Sequence, residues 1–139
     1  MRISPHLCFD GQCREAMHLY HQILGGKIQT MLTYGETPMG SSLDPNSQER
    51  IVHATLLLDD HELTGVDMLP GSYQRPQGFF VTLTVSGTSR AKAIFDVLGA
   101  GGTIQVPFEK TFWSSGFGVL VDKFGIPWEI NTDDSRPAA

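Results

Sequence analysis

The chain spells the same string of elements twice. Periodicities run in the order strand, helix, strand, strand, strand over residues 1–69, and in that order again over residues 79–132. Between them lies P-G-S-Y-Q-R-P-Q-G, residues 70–78, the clearest linker in the chain. A repeat of this length limits the fold more than any motif does. Each half has few residues with which to bury a core, so two halves, or two chains, are expected to pair their sheets. Helices would then cover one sheet face, and the other must curve around something.

In the first half, residues 3–9 alternate, with Ile3, Leu7 and Phe9 on one side and Ser4, His6 and Cys8 on the other. A helix follows the turn Asp10-Gly11-Gln12. Its apolar stripe is Ala16, Leu19, Tyr20, Ile23 and Leu24, and Gly25-Gly26 stops it. Residues 27–34 form the second strand. Residues 51–58 form the third, with Val52, Ala54, Leu56 and Leu58 opposite His53, Thr55 and Leu57. Residues 62–68 return as its hairpin partner. Residues 35–50 lack any period, which leaves a long loop, either a lid or a plain surface connection. In the second half, residues 79–85 form a strand. Residues 89–98 form a helix buried through Ala91, Ile94, Phe95 and Leu98, with Thr88 or Ser89 as N-cap. Strands follow over 103–108, 118–121 and 128–132, and residues 133–139 read as a frayed tail. The fold class predicted is α+β, built of two βαβββ modules.

Charge narrows the function. A net charge of −5 with scattered lysines and arginines excludes a basic stripe for nucleic acid. No apolar run approaches the ~18 residues of a membrane span, and no charged-then-apolar leader opens the chain. The expectation is a soluble cytoplasmic protein. Cys8 and Cys13 lack any zinc spacing and are expected to be free, partly buried thiols.

One stretch looks like a site: T-F-W-S-S-G-F-G-V-L-V-D-K-F-G-I-P-W-E-I-N, residues 111–131. It holds both tryptophans, three of the eight phenylalanines and three glycines. Aromatics with polar handles beside glycines suit a pocket wall.

Taken together, P-H-L-C-F-D-G-Q-C-R-E-A-M-H-L-Y (residues 5–20), L-G-G (24–26), I-V-H-A-T-L (51–56), T-F-W and D-K-F-G-I-P-W resemble the vicinal oxygen chelate superfamily of glyoxalase, bleomycin-resistance and dioxygenase proteins. More narrowly they resemble its PhnB-like branch. Ser114 departs from that branch, which more usually has glycine after F-W. The resemblance implies paired modules forming a curved, cup-like mixed sheet with helices on the outer face, commonly as a homodimer. It also implies a divalent metal in many members, held by the first and last strands of each module and acting as a Lewis acid. The branch is often labelled a methyltransferase of ubiquinone biosynthesis, yet nothing in the chain resembles a Gly-rich Rossmann turn.

Strand phase tests the implied metal set. His6 falls at the first ligand position, Glu62 or Thr64 at the second, Phe80 at the third and Glu129 at the fourth. Phenylalanine cannot coordinate, so the set His6, Glu62, Glu129 is short by one, unless His53 substitutes. The expectation is therefore no obligatory cofactor, with a divalent metal as the alternative. Glu129 is the one candidate catalytic group, as base, ligand or structural carboxylate. His18 and His21, an i, i+3 pair on the first helix, are read as incidental. Two functions compete. In the first, a small organic molecule binds against Phe80, Phe112, Trp113, Phe117 and Trp128, with His6, His53 and Glu129 as polar contacts. In the second, a metal-dependent lyase, isomerase, dioxygenase or thiol transferase uses the same cup. A ligand-free structural dimer has no support beyond default.

Overall fold

In the computed structural model, which describes residues 1–134, the repeat is built as two units, Met1–Arg75 and Pro76–Ala139. The first contains β1 (His6–Phe9), α1 (Cys13–Leu24), β2 (Lys27–Thr33), a short α2 (Pro45–Gln48), β3 (Ile51–Leu58) and β4 (His61–Asp67). Its sheet runs β1-β4-β3-β2, with β1 parallel to β4 and the other pairs antiparallel. The second contains β5 (Val81–Val85), α3 (Thr88–Gly99), β6 (Thr103–Glu109), β7 (Phe117–Val121) and β8 (Pro127–Thr132). Its sheet runs β5-β8-β7-β6, with β5 parallel to β8. Both units are thus βαβββ, and the α+β class holds. Among the described residues no helix is long and apolar enough to cross a membrane. The tail expected to fray lies, from residue 135 onward, outside the described residues.

Alternation decides which face each helix covers. In the first unit Leu7, Phe9, Ala54, Leu56 and Leu63 are buried, against Cys13, Ala16, Met17 and Tyr20 of α1. Each large side chain sealed there contributes about 1.5–3 kcal/mol. The stripe is therefore 13, 16, 17, 20, while Leu19, Ile23 and Leu24 are only half-buried. Ile3 corrects another expectation: it is 91% exposed and outside β1. Pro5, which has no N–H to give a ladder, precedes the strand. In the second unit α3 buries Ala91, Ile94, Phe95 and Leu98 against Leu120, Trp128 and Ile130. A Cβ on Gly118 would come 2.5 Å from the Phe95 ring, so only glycine lets α3 sit that close. Gly26 has φ +77, and a Cβ there would strike the Leu57 carbonyl, which explains the second glycine of L-G-G.

The α3 cap differs from the expectation. Neither Thr88 nor Ser89 caps α3; its N-cap is Gly87, with no side-chain bond. For α1 the N-cap is Gln12, likewise without a side-chain bond. Its N-terminus is closed instead by Asp67, distant in sequence and only 1% exposed. Asp67 Oδ1 accepts from Gly11 N and Cys13 N at 2.9 Å each, and Oδ2 accepts from Ile51 N at 2.9 Å. One carboxylate thereby ties the end of β4 to the start of α1 and the start of β3, where negative charge also suits the helix dipole. Burial, reinforced by that carboxylate, pushes the Cys13 thiol up to about 12. Cys13 is fully buried and Cys8 half-buried, both as free thiols.

Asp122 plays the matching part in the second unit. Buried at 3%, it accepts from Phe124 N and Ile126 N through Oδ1 and from Trp128 Nε1 at 3.0 Å through Oδ2. The D-K-F-G-I-P-W signature is therefore a carboxylate-centred turn that locks an indole into the core.

Residues 35–50, which lack any period, are ordered by local turns. Two 3-10 turns (Tyr34–Glu36 and Gly40–Ser42) and α2 fold the segment on itself, with Gly40 and Ser47 buried. Its ends meet where Tyr34 N donates to Arg50 O. Tyr34 donates its hydroxyl to Asp67 O at 2.7 Å, and Arg50 reaches Asp10 and Met68 O.

Asp67→Ala and Asp122→Ala each orphan three donors, so each is expected to lose about 3 kcal/mol or more in urea unfolding. Asp10→Ala, which removes only an exposed ion pair with Arg50, should lose less than about 1 kcal/mol. Equal small losses in all three would contradict this account.

Candidate functional site

The faces turned away from the helices carry the polar side chains singled out from the sequence. In the first unit, register places His6 beside Thr64 and Thr64 beside Thr55, with His53 and Glu62 on the same face. Thr64 Oγ1 donates to the Pro5 carbonyl at 3.1 Å and lies 2.7 Å from His6 Nδ1. A hydroxyl has one proton, and the carbonyl takes it. His6 Nδ1 must therefore carry hydrogen and donate, which leaves the lone pair on Nε2. The His53 ring stacks on His6 with centroids 5.9 Å apart and planes at 25°. His53 Nε2 lies 3.2 Å from Thr55 Oγ1. Burial first, then the neighbouring His53, hold the His6 pKa below its ordinary 6.5. His6 is thus a neutral base of defined tautomer near pH 7.

Glu62 is on this face but otherwise engaged. Its Oε1 accepts from Ser4 Oγ at 2.7 Å and pairs with Arg2 Nε at 3.2 Å. The structure puts it with these two groups rather than with His6.

In the second unit, Ile130 pairs with Gly118 on the helix face, so Glu129 and Asn131 lie on the open one. Thr82, level with Glu129 on β5, donates to Glu129 Oε1 at 3.2 Å. The in-strand neighbour of Glu129 is therefore Thr82. Phe80, the residue singled out from sequence, shares that parity but precedes β5 and is 46% exposed. The face Phe80-Thr82-Thr84 was visible in the alternation; only the strand start was misplaced.

Phe117, Trp113 and Phe112 form a stepped aromatic array. Trp113 meets Phe117 at 5.3 Å and Phe112 at 4.8 Å, both edge-on. Phe112 is 98% and Trp113 57% exposed. Ser114 anchors the loop that carries them: its hydroxyl donates to Gly116 O at 2.8 Å, and its N–H donates to Thr111 Oγ1 at 3.1 Å. The serine that departs from the expected glycine is a fastening point. Trp128 does not belong to this wall. It is 1% exposed on the helix face, its indole held by Asp122, because its parity is that of Ile130.

The metal set fits poorly. Neither unit gathers three or more His, Cys, Asp or Glu side chains among its described residues in a group that could hold an ion. In the first unit, Glu62 Oε1 is already engaged by Ser4 and Arg2, leaving His6 Nε2 as the donor of defined geometry. His21 donates from Nδ1 to Gly25 O at 3.1 Å, so it serves the end of α1.

A helix packed on one side of a mixed sheet, repeated twice with the reactive side chains on the other side, defines a two-module α+β protein of the glyoxalase and bleomycin-resistance type. A glyoxalase/bleomycin resistance protein/dioxygenase family enzyme from Burkholderia phytofirmans PsJN shares the fold, with a TM-score of 0.63, 14% identity and coverage of 93% of this chain and 95% of that one. The family described as 3-demethylubiquinone-9 3-methyltransferase matches residues 1–131, and the chain belongs to it. Protein YjdN of Escherichia coli K12 is 31% identical over 145 residues, covering 99% of each chain. The crystal structure of protein PA1353 from Pseudomonas aeruginosa superposes with a TM-score of 0.87 at 35% identity, over 96% of this chain and 98% of that one. A Bacillus cereus PhnB protein, described as a putative 3-demethylubiquinone-9 3-methyltransferase, gives 0.81 at 24%, over 96% and 100%.

The His6 environment is checked by NMR titration of its ring proton. The midpoint should fall below 6.5, and His53→Ala should raise it. Because the folded pKa is the lower one, stability linked to His6 is present above pH 6.5 and is lost as pH falls through the folded value. A midpoint at or above 6.5 would contradict the assignment.

Proposed function

We propose that the chain binds a small organic molecule on the open faces of its sheets, with residues 1–69 and 79–132 as two modules of one domain. One observation carries this reading: Phe112, Trp113 and Phe117 meet edge-on in sequence yet leave large apolar area in water, on the unit whose open face carries Glu129. Exposed aromatics in a contiguous array mark a binding surface more often than an accident of packing. His6, His53 and Glu129 supply polar contacts, with Phe80 at the margin. The protein works in the cytoplasm as a homodimer; edge strand β6, with Ile104 and Val106 about half exposed, supports association.

A second reading, divalent-metal-dependent lyase, isomerase, dioxygenase or thiol-transfer chemistry, draws support from the Nε2 lone pair of His6. Beyond His53 no group of three or more His, Cys, Asp or Glu side chains forms around it among the described residues, and no reaction step is derived from it. The methyltransferase description of the family finds no Gly-rich phosphate or cofactor turn in this chain.

Trp113 is exposed and Trp128 buried, so a ligand on the aromatic array should quench Trp113 alone. A screen of small aromatic compounds is expected to give saturable quenching that Trp113→Phe abolishes while the fold is kept. No response from the native chain, or a response that survives the substitution, would overturn the proposal. Stoichiometric metal in tag-free protein, lost in His6→Ala, would favour the second reading.

A further inference from the structure

Among the described strand positions, the open face of the second unit carries acceptors and acid but no base. Glu109 pairs in register with Phe117 and so shares its face, while Phe108 turns to the helix side and packs on Phe95 at 5.6 Å. Glu129 lies two strands from Glu109, with Phe117 and Val119 of β7 between them. Ladder pairing and alternation give the remaining strand positions of this face: Thr82 and Thr84 on β5, Thr103 and Val106 on β6, Val121 on β7, and Pro127 and Asn131 on β8. None is basic. Glu129 Oε1 takes the Thr82 hydroxyl, which leaves Oε2 for another donor. Asn131 Oδ1 is buried with no hydrogen-bond partner. Beside these acceptors stands the Phe112–Trp113–Phe117 array, whose ring faces attract cations.

Resting on the ligand-binding reading above, we propose that this face selects an organic cation: a flat or aromatic molecule bearing a protonated amine or amidine with free N–H groups. The ring packs on Trp113 and Phe117. The charged N–H groups reach Glu129 Oε2, and Glu109 adds to the negative field. An anion of the same shape would meet two carboxylates and no basic side chain at the described strand positions of this face, so charge selects as well as shape. Lys110, which follows Glu109 as the chain leaves β6, is a cation close to it in sequence, and its removal should strengthen rather than weaken binding.

Benzamidine, benzamide and benzoate share one ring and differ in charge and donors. Calorimetric titration of the full chain should show benzamidine binding at least about tenfold tighter than benzamide, with benzoate undetected. Glu129→Gln should weaken benzamidine about tenfold while leaving benzamide unchanged, and Lys110→Ala should tighten it. Benzamide or benzoate binding as tightly as benzamidine would overturn the cation preference while leaving small-molecule binding intact. Benzamidine affinity unchanged in Glu129→Gln would overturn the assigned site. Silence from all three compounds, with quenching of Trp113 by neutral aromatics, would also sink the cation proposal alone.

Discussion

Three backbone N–H groups converge on one carboxylate, and the first unit depends on that meeting. Asp67 ends β4, yet its oxygens close the start of α1 and fix the start of β3. Its backbone carbonyl takes the Tyr34 hydroxyl, so the folded segment after β2 is tied to the same point. A buried carboxylate is tolerated only when its acceptor capacity is met, and here three N–H donors meet it. Asp122 solves the same problem in the second unit with a tighter loop, holding two amides and an indole. Each unit thus fastens its helix side or its hairpin with a single acid.

That division of labour leaves the other sheet face available for chemistry. The helix faces are filled by closely packed apolar side chains, with Gly118 allowing α3 near contact with β7. Rotamers there are locked by packing, which makes the strands a rigid platform. On the open side, each parallel ladder carries one paired polar couple: His6 with Thr64 and Thr82 with Glu129. The threonine hydroxyl acts differently in the two. Thr64 accepts and so directs the His6 lone pair outward; Thr82 donates and so occupies one carboxylate oxygen.

Much of this was legible in the sequence, for a physical reason. Strand alternation is local, and residues 51–58 declare both faces outright: Ala54 and Leu56 inward to the helix, His53 and Thr55 away. The same logic put His6 and Glu129 on the open faces. What stayed hidden was long-range or depended on a strand end. Asp67 lies 54 residues from the Cys13 amide it caps, so no capping motif near Gln12 could announce it. The D-K-F-G-I-P-W run was legible as a turn, but its indole was read as a wall although Trp128 shares the parity of Ile130. Phe80 was placed inside a strand that starts one residue later, and Thr82 was overlooked in consequence. Residues 35–50 have no periodicity because their order comes from turns closed by single hydrogen bonds rather than from a repeating face.

The account stands on function residing on the open sheet faces. An alternative location exists in the first unit: a cleft of about 610 Å³ lined by Arg14, Thr33, Gly35, Pro45, Gln48 and Glu49. Amide chemical-shift mapping of the full chain titrated with phenol, a neutral ring with one donor, separates the two directly. The account predicts shifts at Trp113, Phe117, Glu129 and Asn131, with the helix-face amides and the cleft silent. Shifts confined to Arg14, Thr33 and residues 45–49 would contradict it.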